Sequence, residues 1–242
     1  MDDLLAVTHR AEIEHFWFRG FRAFLSPKLA SVARGSTGLR ILDCGCGTGS
    51  NLSLLQQFGT PTGLELTPAG IEIARARNVP LIRGSITALP VESDRFDLVT
   101  SFDVLQLVDD DVRALREMRR VLKPGGTLIV TASALEILSG GHADAWSEVR
   151  RYTRDDLERK AAAAGLRVNE STYLFSTLLP LMVAVRAFRR NVDGGSDDWE
   201  MRVPPEPLNA LLSGVVRAEA AIRSRVTLPL PGSSVLLIAT KA

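Results

Sequence analysis

The sequence predicts an α/β protein on a doubly wound, mostly parallel seven-stranded sheet, with a helical insertion before the last strand. Three observations carry that expectation. Short apolar runs bounded by glycine or proline alternate with helix-length stretches, which is the pattern of βαβ units. One run, Ile41-Leu42-Asp43-Cys44, passes directly into the glycine-rich Gly45-Cys46-Gly47-Thr48-Gly49 and then a helical stretch. The 242 residues are 45% hydrophobic and 24% charged, ordinary globular usage with enough apolar surface for a sizeable core. One sheet with an insertion accounts for that length, so a single domain over 1–242 is expected.

The expected strands are Leu39–Cys44, Pro61–Leu66, Val79–Arg83, Phe96–Ser101, Gly126–Ala132, Arg167–Tyr173 and Ser234–Thr240. Between them the sequence predicts helices over Asn51–Phe58, Pro68–Arg77 and Asp111–Leu122, the last stopped by Lys123-Pro124-Gly125-Gly126. A further helix, Asp155–Ala164, has Thr153 at an N-cap position and Gly165 as its terminator.

Two segments stand outside the alternation. Glu12–Leu25 reads as a helix rich in aromatics and arginine, within an N-terminal helical unit of residues 1–30. Its aromatics are too dense for a solvent-facing helix; packing on the sheet edge and a lid over the site are both open, and compatible. The insertion, 174–233, opens with the apolar Leu174–Phe188 and then Arg189-Arg190. Fifteen residues are short of the ~20 that span a bilayer. Core burial or a homodimer interface is one reading, and peripheral membrane contact through 174–190 the other. Asn191–Pro207, polar and glycine-rich, reads as a loop.

The formal charge of +1, from 29 basic and 28 acidic residues, gives no general attraction to nucleic acid. Cys44 and Cys46 lack the partners of a disulfide framework or the further ligands of a zinc site, so no metal is expected and both read as small core-lining residues on a tight turn. Met1-Asp2-Asp3 lacks the basic start of a secretory signal, and a cytoplasmic location is the default.

Glycine belongs where a ligand comes against the backbone, and amides at a helix start can face an anionic group. A dinucleotide site would place a third glycine where Ser50 stands. The spacing Gly45-x-Gly47-x-Gly49, with Asp43 two residues ahead, instead resembles motif I of the class I S-adenosylmethionine (SAM)-dependent methyltransferases. Glu65 closes the second strand twenty residues after Gly45, where strand ends meet at the ligand crevice of such sheets. Gly84-Ser85-Ile86-Thr87-Ala88-Leu89-Pro90, Phe96-Asp97-Leu98-Val99, Phe102-Asp103-Val104-Leu105 and Leu122-Lys123-Pro124-Gly125-Gly126 extend the likeness over about Leu39–Val168. They are similar to the later motifs of the quinone-biosynthesis branch, the type 11 methyltransferase domain.

The resemblance implies a role for each position. Asp43 orders the turn, and Gly45, Cys46 and Gly47 line the methionine moiety of SAM. Glu65 holds the ribose and Leu66 packs on the adenine. Ser85 stands where the family usually has aspartate to accept from the adenine amine, so recognition there leans on the backbone of Ile86. Phe102 and Asp103 fall near the methionine amino group. Trp17 would belong to the lid if the N-terminal run serves as one, and Arg19 or Arg22 is a candidate partner of the methionine carboxylate. S-adenosylhomocysteine would be the product.

On the acceptor side the family's Glu-His is replaced by Gln106-Leu107, which removes a base there. His142-Ala143-Asp144-Ala145-Trp146 followed by Arg150-Arg151-Tyr152-Thr153 resembles a related subgroup and makes His142 the candidate catalytic residue, with a partly exposed loop histidine as the alternative. A small-molecule acceptor is expected. The rivals are a Rossmann-type nucleotide enzyme, a non-catalytic SAM-binding protein, and a methyltransferase for a lipid or prenyl-tailed acceptor at a membrane.

Overall fold

In the computed structural model, which describes residues 11–35, 38–139, 147–192, 202–226 and 229–242, the strands are β1 (Leu39–Cys44), β2 (Gly59–Glu65), β3 (Leu81–Arg83), β4 (Phe96–Phe102), β5 (Leu122–Ser133), β6 (Leu166–Leu174) and β7 (Ser234–Lys241). The helices are α1 (Phe16–Ala33), α2 (Leu52–Leu55), α3 (Pro68–Ala74), α4 (Asp111–Val121), α5 (Arg154–Ala163), α6 (Leu179–Val192) and α7 (Leu208–Arg223). The strands form one sheet in the order β3-β2-β1-β4-β5-β7-β6. The pairs from β3 to β5 are parallel, and β7 runs antiparallel to both β5 and β6. The chain winds outward from β1 to β3 and then returns to β4 on the other side of β1. That reversal opens a crevice at the carboxyl ends of β1 and β4, where sheets of this kind take their ligands.

Strand side chains alternate between faces, so each strand feeds two cores. Leu42, Val99, Leu128 and Leu237 pack under α4 and α5 with the fully buried Tyr152. Ile41, Leu98, Ile129 and Leu236 pack on the opposite face with Phe21, Leu25 and Leu29 of α1 and Val216 of α7. Both faces of the central strands are covered, which is why they read as continuous apolar runs.

Caps fix the helix ends. Thr153 accepts from Asp156 N and Gly165 sits at φ +82°, as the sequence predicts for α5. Three elements differ from expectation. The Asn51–Phe58 stretch is helical only over Leu52–Leu55, because β2 begins at Gly59, pressed so closely on Leu39 that a Cβ would meet its carbonyl oxygen at 2.0 Å. The Lys123–Gly126 stop is absorbed into β5, whose pairing with β4 shifts register between Phe96 and Leu98. The N-terminal helix breaks at His15, whose backbone is extended, and α1 then runs on to Ala33. Its buried Phe21, Phe24, Leu25 and Leu29 make α1 a core element, so any lid is confined to the residues ahead of His15.

The insertion also divides. Leu174 ends β6, and Phe175 and Leu178 are buried on the α1 face, so they face no partner or membrane; Leu181 on α6 is 52% exposed. α7 packs against α1. The expected loop lies largely outside the described residues. Among the described residues no helix is long and apolar enough to cross a membrane.

Candidate functional site

The loop after β1 turns because three glycines take positive φ: 81° at Gly45, 54° at Gly47 and 77° at Gly49. Gly45 N and Cys46 N both donate to Leu64 O, at 2.7 and 2.9 Å, which ties the loop to β2. The two leading glycines serve different purposes. A Cβ at Gly45 would meet Val104 Cγ2 at 2.5 Å, whereas one at Gly47 meets nothing within 4 Å. Gly45 admits a protein neighbour; Gly47 opens on the crevice.

Asp43 lies beneath this turn and accepts from Thr100 Oγ1 at 2.7 Å. Burial raises its carboxyl to about 7, partly offset by the Thr100 bond, with Glu65 adding to the rise. Glu65 ends β2 and is buried. Its Oε2 accepts from Gly47 N at 3.0 Å, and its Oε1 from Thr67 N and Thr67 Oγ1, both at 2.8 Å. Gly70 leaves room for it, since a Cβ there would meet Glu65 Cγ at 2.7 Å. The carboxylate is thus held against the loop at the strand end.

The other predicted positions distribute unevenly. Leu66 is 60% exposed beside Glu65, free to cover a flat ring. Ser85 lies near in sequence to Gly84, whose N donates to Glu65 O at 3.0 Å. The Ser85 hydroxyl, however, is engaged with Thr87, accepting from its N at 3.2 Å and lying 2.8 Å from its Oγ1. The Ile86 side chain is in the core under α4. Cys46 packs among core residues, and burial holds both thiols above their ordinary range, so neither supplies a thiolate. Phe102 is buried edge-on to Phe21, their centroids 5.6 Å apart. Asp103 follows β4 and remains partly exposed; burial, opposed by a bond from Thr131, raises its carboxyl to about 6.

Two N-terminal expectations meet different surroundings. Trp17 stacks flat on Phe175 at 3.7 Å, so its ring is committed to α1 packing. Arg22 Nη2 donates to Glu12 O at 2.7 Å. The Glu12 carboxylate in turn accepts from the hydroxyls of Thr48 and Ser50, the latter at 2.6 Å, so the segment ahead of His15 is strapped across the glycine loop. His142 and Trp146 lie outside the described residues.

Sequence reading missed Thr48, Thr67, Thr100 and Val104, whose roles depend on the turn geometry, and the part that Glu12 plays. It also missed what each residue of Arg150-Arg151-Tyr152-Thr153 does. Arg150 Nη1 and Tyr152 OH both meet Asp111 Oδ2 at 2.7 Å, Arg151 pairs with Glu148, and Thr153 caps α5. The signal was present as adjacent arginines before a tyrosine, but only the fold shows that they staple α4, β5 and α5 together.

The segment from β1 to β5 also resembles known proteins. Residues 42–130 match the family model described as a methyltransferase domain. The chain is similar to a demethylmenaquinone methyltransferase of Corynebacterium kroppenstedtii, 32% identical over 129 residues that cover 53% of each protein. It is also similar to a phthiotriol/phenolphthiotriol dimycocerosates methyltransferase of Mycobacterium leprae, 36% identical over 99 residues covering 38% of this chain and 37% of that one. The chain spans between 36% and 53% of the length of these and other curated relatives. Among solved structures, phosphoethanolamine N-methyltransferase 2 of Haemonchus contortus, in complex with SAM, superposes with a TM-score of 0.66 at 16% identity, covering 100% of this chain and 57% of that one. A cyclase, SpnF, superposes with a TM-score of 0.58 at 22% identity, covering 90% and 80%. At these identities the structures speak for the fold alone. Residues 42–130 therefore match a methyltransferase domain within a sheet of the class I SAM-dependent methyltransferase fold, and SAM is the cofactor of that class.

Proposed function

We propose that the chain transfers the methyl group of SAM to a small-molecule acceptor. The observation that carries this reading is the pairing of an open, positive-φ Gly47 with the Glu65 carboxylate held against it, inside the segment that matches the methyltransferase domain. The residues fit the cofactor. Glu65 is a hydrogen-bond acceptor for the ribose, Leu66 a cover for the adenine, and Asp103 a carboxylate for the methionine ammonium. When bound, SAM supplies an electrophilic methyl group. The protein's share is to orient it toward the acceptor and exclude water, because in-line displacement depends chiefly on alignment.

Isothermal calorimetry with S-adenosylhomocysteine tests the donor half. Binding in the micromolar range, near common metabolite levels, is expected, and its absence from folded protein overturns the reading. Methyl transfer from labelled SAM across hydroxyl, amine and quinol acceptors tests the rest. Binding with no transfer favours a non-catalytic SAM-binding protein, a real alternative because a cyclase shares the fold.

A lipid or prenyl-tailed acceptor is the second reading, favoured by one observation. Leu208, Leu211, Val215 and Ile222 follow helical spacing along an exposed face of α7, and Leu181 is exposed on α6. Flotation with anionic vesicles that is lost in Leu181→Glu/Leu211→Glu supports it; a wild-type chain that stays with the soluble fraction counts against it.

A further inference from the structure

Beyond the glycine loop, the carboxyl ends of β4 and β5 carry a second group of polar side chains. Asp103 holds a left-handed φ of 55°, which a non-glycine residue keeps only where its surroundings impose it. Thr131 imposes it from β5: Asp103 N donates to Thr131 O at 3.0 Å, and the Thr131 hydroxyl donates to Asp103 Oδ1 at 3.2 Å. Two residues on, the Ser133 hydroxyl accepts from Gln106 Nε2 at 3.2 Å and donates to Glu148 Oε1 at 2.8 Å. Glu148 Oε2 meets Arg151 Nη2 at 2.7 Å, with the two side chains only 3% and 5% exposed. Val149 N donates to Gln106 O at 2.8 Å, which pins this segment over the strand ends. Among the described residues Gln106 Oε1 and Arg151 Nε are buried and have no hydrogen-bond partner.

An ion pair buried this deeply costs desolvation that apolar packing would avoid, and unpartnered polar atoms beside it add to the cost. Stability alone is therefore a poor account of the pair. Its placement offers a better one: Thr131 holds Asp103 and Ser133, two residues along the same face of β5, holds Glu148 with its partner Arg151, so two opposite charges are fixed beside the Asp103 carboxyl and act on it with opposite signs.

We propose that the buried Glu148–Arg151 pair is a positioning device that sets the charge of Asp103, and so the pH above which the site holds the α-ammonium of its methionine ligand. The second clause rests on the SAM reading; the first does not. Burial puts the Asp103 carboxyl at about 6, Glu148 pushing up and Arg151 down. The ammonium-binding carboxylate therefore fills as pH rises through about 6.

The test is a carbon-13 carboxyl NMR titration of the ligand-free chain, with Asp103→Asn identifying the resonance. Glu148→Gln leaves Arg151 unopposed and is expected to make Asp103 a stronger acid by about threefold or more; Arg151→Gln is expected to make it weaker by a similar factor. Opposite shifts support the proposal. A loosened structure that admits water would strengthen the acid in both variants, so shifts in the same direction, or none in Glu148→Gln, overturn it. If Arg151→Gln does not fold, Arg151→Lys takes its place: it keeps the charge and is expected to stay near wild type while Glu148→Gln strengthens the acid, and a stronger acid in both overturns the proposal. S-adenosylhomocysteine affinity measured from pH 5 to 7.5 should rise along the same titration and move with it in Glu148→Gln. Absence of binding at every pH, with the opposite NMR shifts intact, overturns the SAM reading and leaves the charge-setting pair standing.

Discussion

Gly45 and Gly47 stand two residues apart in one loop, yet a methyl group added to each meets different surroundings. In Gly45→Ala the new carbon strikes Val104, a side chain that packs on the core, so the cost falls on the fold. In Gly47→Ala it meets nothing, and only the positive φ is penalised, by about 1–2 kcal/mol. For a chain of this size, Gly47→Ala is expected to lower Tm by about 2–8 °C. It should weaken S-adenosylhomocysteine binding by about tenfold or more, equivalent to about 1.4 kcal/mol. Gly45→Ala should lose more Tm than Gly47→Ala. Scanning calorimetry and titration calorimetry on both variants check this; equal affinity in Gly47→Ala and wild type would remove Gly47 from the site. Residue types and spacing made both glycines legible in the sequence. Their division of labour was not, because it depends on where Val104 comes to rest after β4.

At the scale of elements, the start of α1 illustrates a cap that spacing did not reveal. His15 has an extended backbone, and its Nδ1 accepts from Trp17 N at 3.1 Å. Only a neutral ring offers that acceptor, and burial lowers the imidazole to about 4 from 6.5 in the unfolded chain. Between those values the unfolded chain binds more protons, so the stabilisation is complete above about pH 6.5 and is lost as pH falls toward 4. The amount at stake is about 2–3 kcal/mol. His15→Asn, which preserves an N-cap acceptor without titrating, should flatten the Tm loss between pH 7 and pH 5; parallel losses in variant and wild type would refute the assignment. The cap of α5 was legible because Thr153 and Gly165 bracket the helix by the usual residue types. The break before α1 was not, because Ala11-Glu12-Ile13-Glu14 carries no glycine or proline to mark an end ahead of His15.

Across the whole molecule, a mostly parallel sheet was legible from strand–helix alternation for β1 to β5, although β3 passes to β4 without a helix. It was less so beyond, since the antiparallel placement of β7 between β5 and β6 depends on pairing across the insertion. β7 supplies seven paired positions to β5 and eight to β6, so both strands become open edges without it. A chain ending at Ser233 is therefore expected to partition into the insoluble fraction on expression, as long unpaired edges associate. Recovery of a soluble, cooperatively melting truncated protein would show that the sheet closes by another route.

The same strand order imposes a schedule on biosynthesis. A ribosome adding 5–20 residues per second needs on the order of several seconds to pass from Leu174 to Lys241. For that interval β5 and β6 have emerged while the strand that joins them is still being translated. The nascent chain has its cofactor loop complete and one flank of its sheet unsealed, and this is the window in which a holding chaperone would find a client.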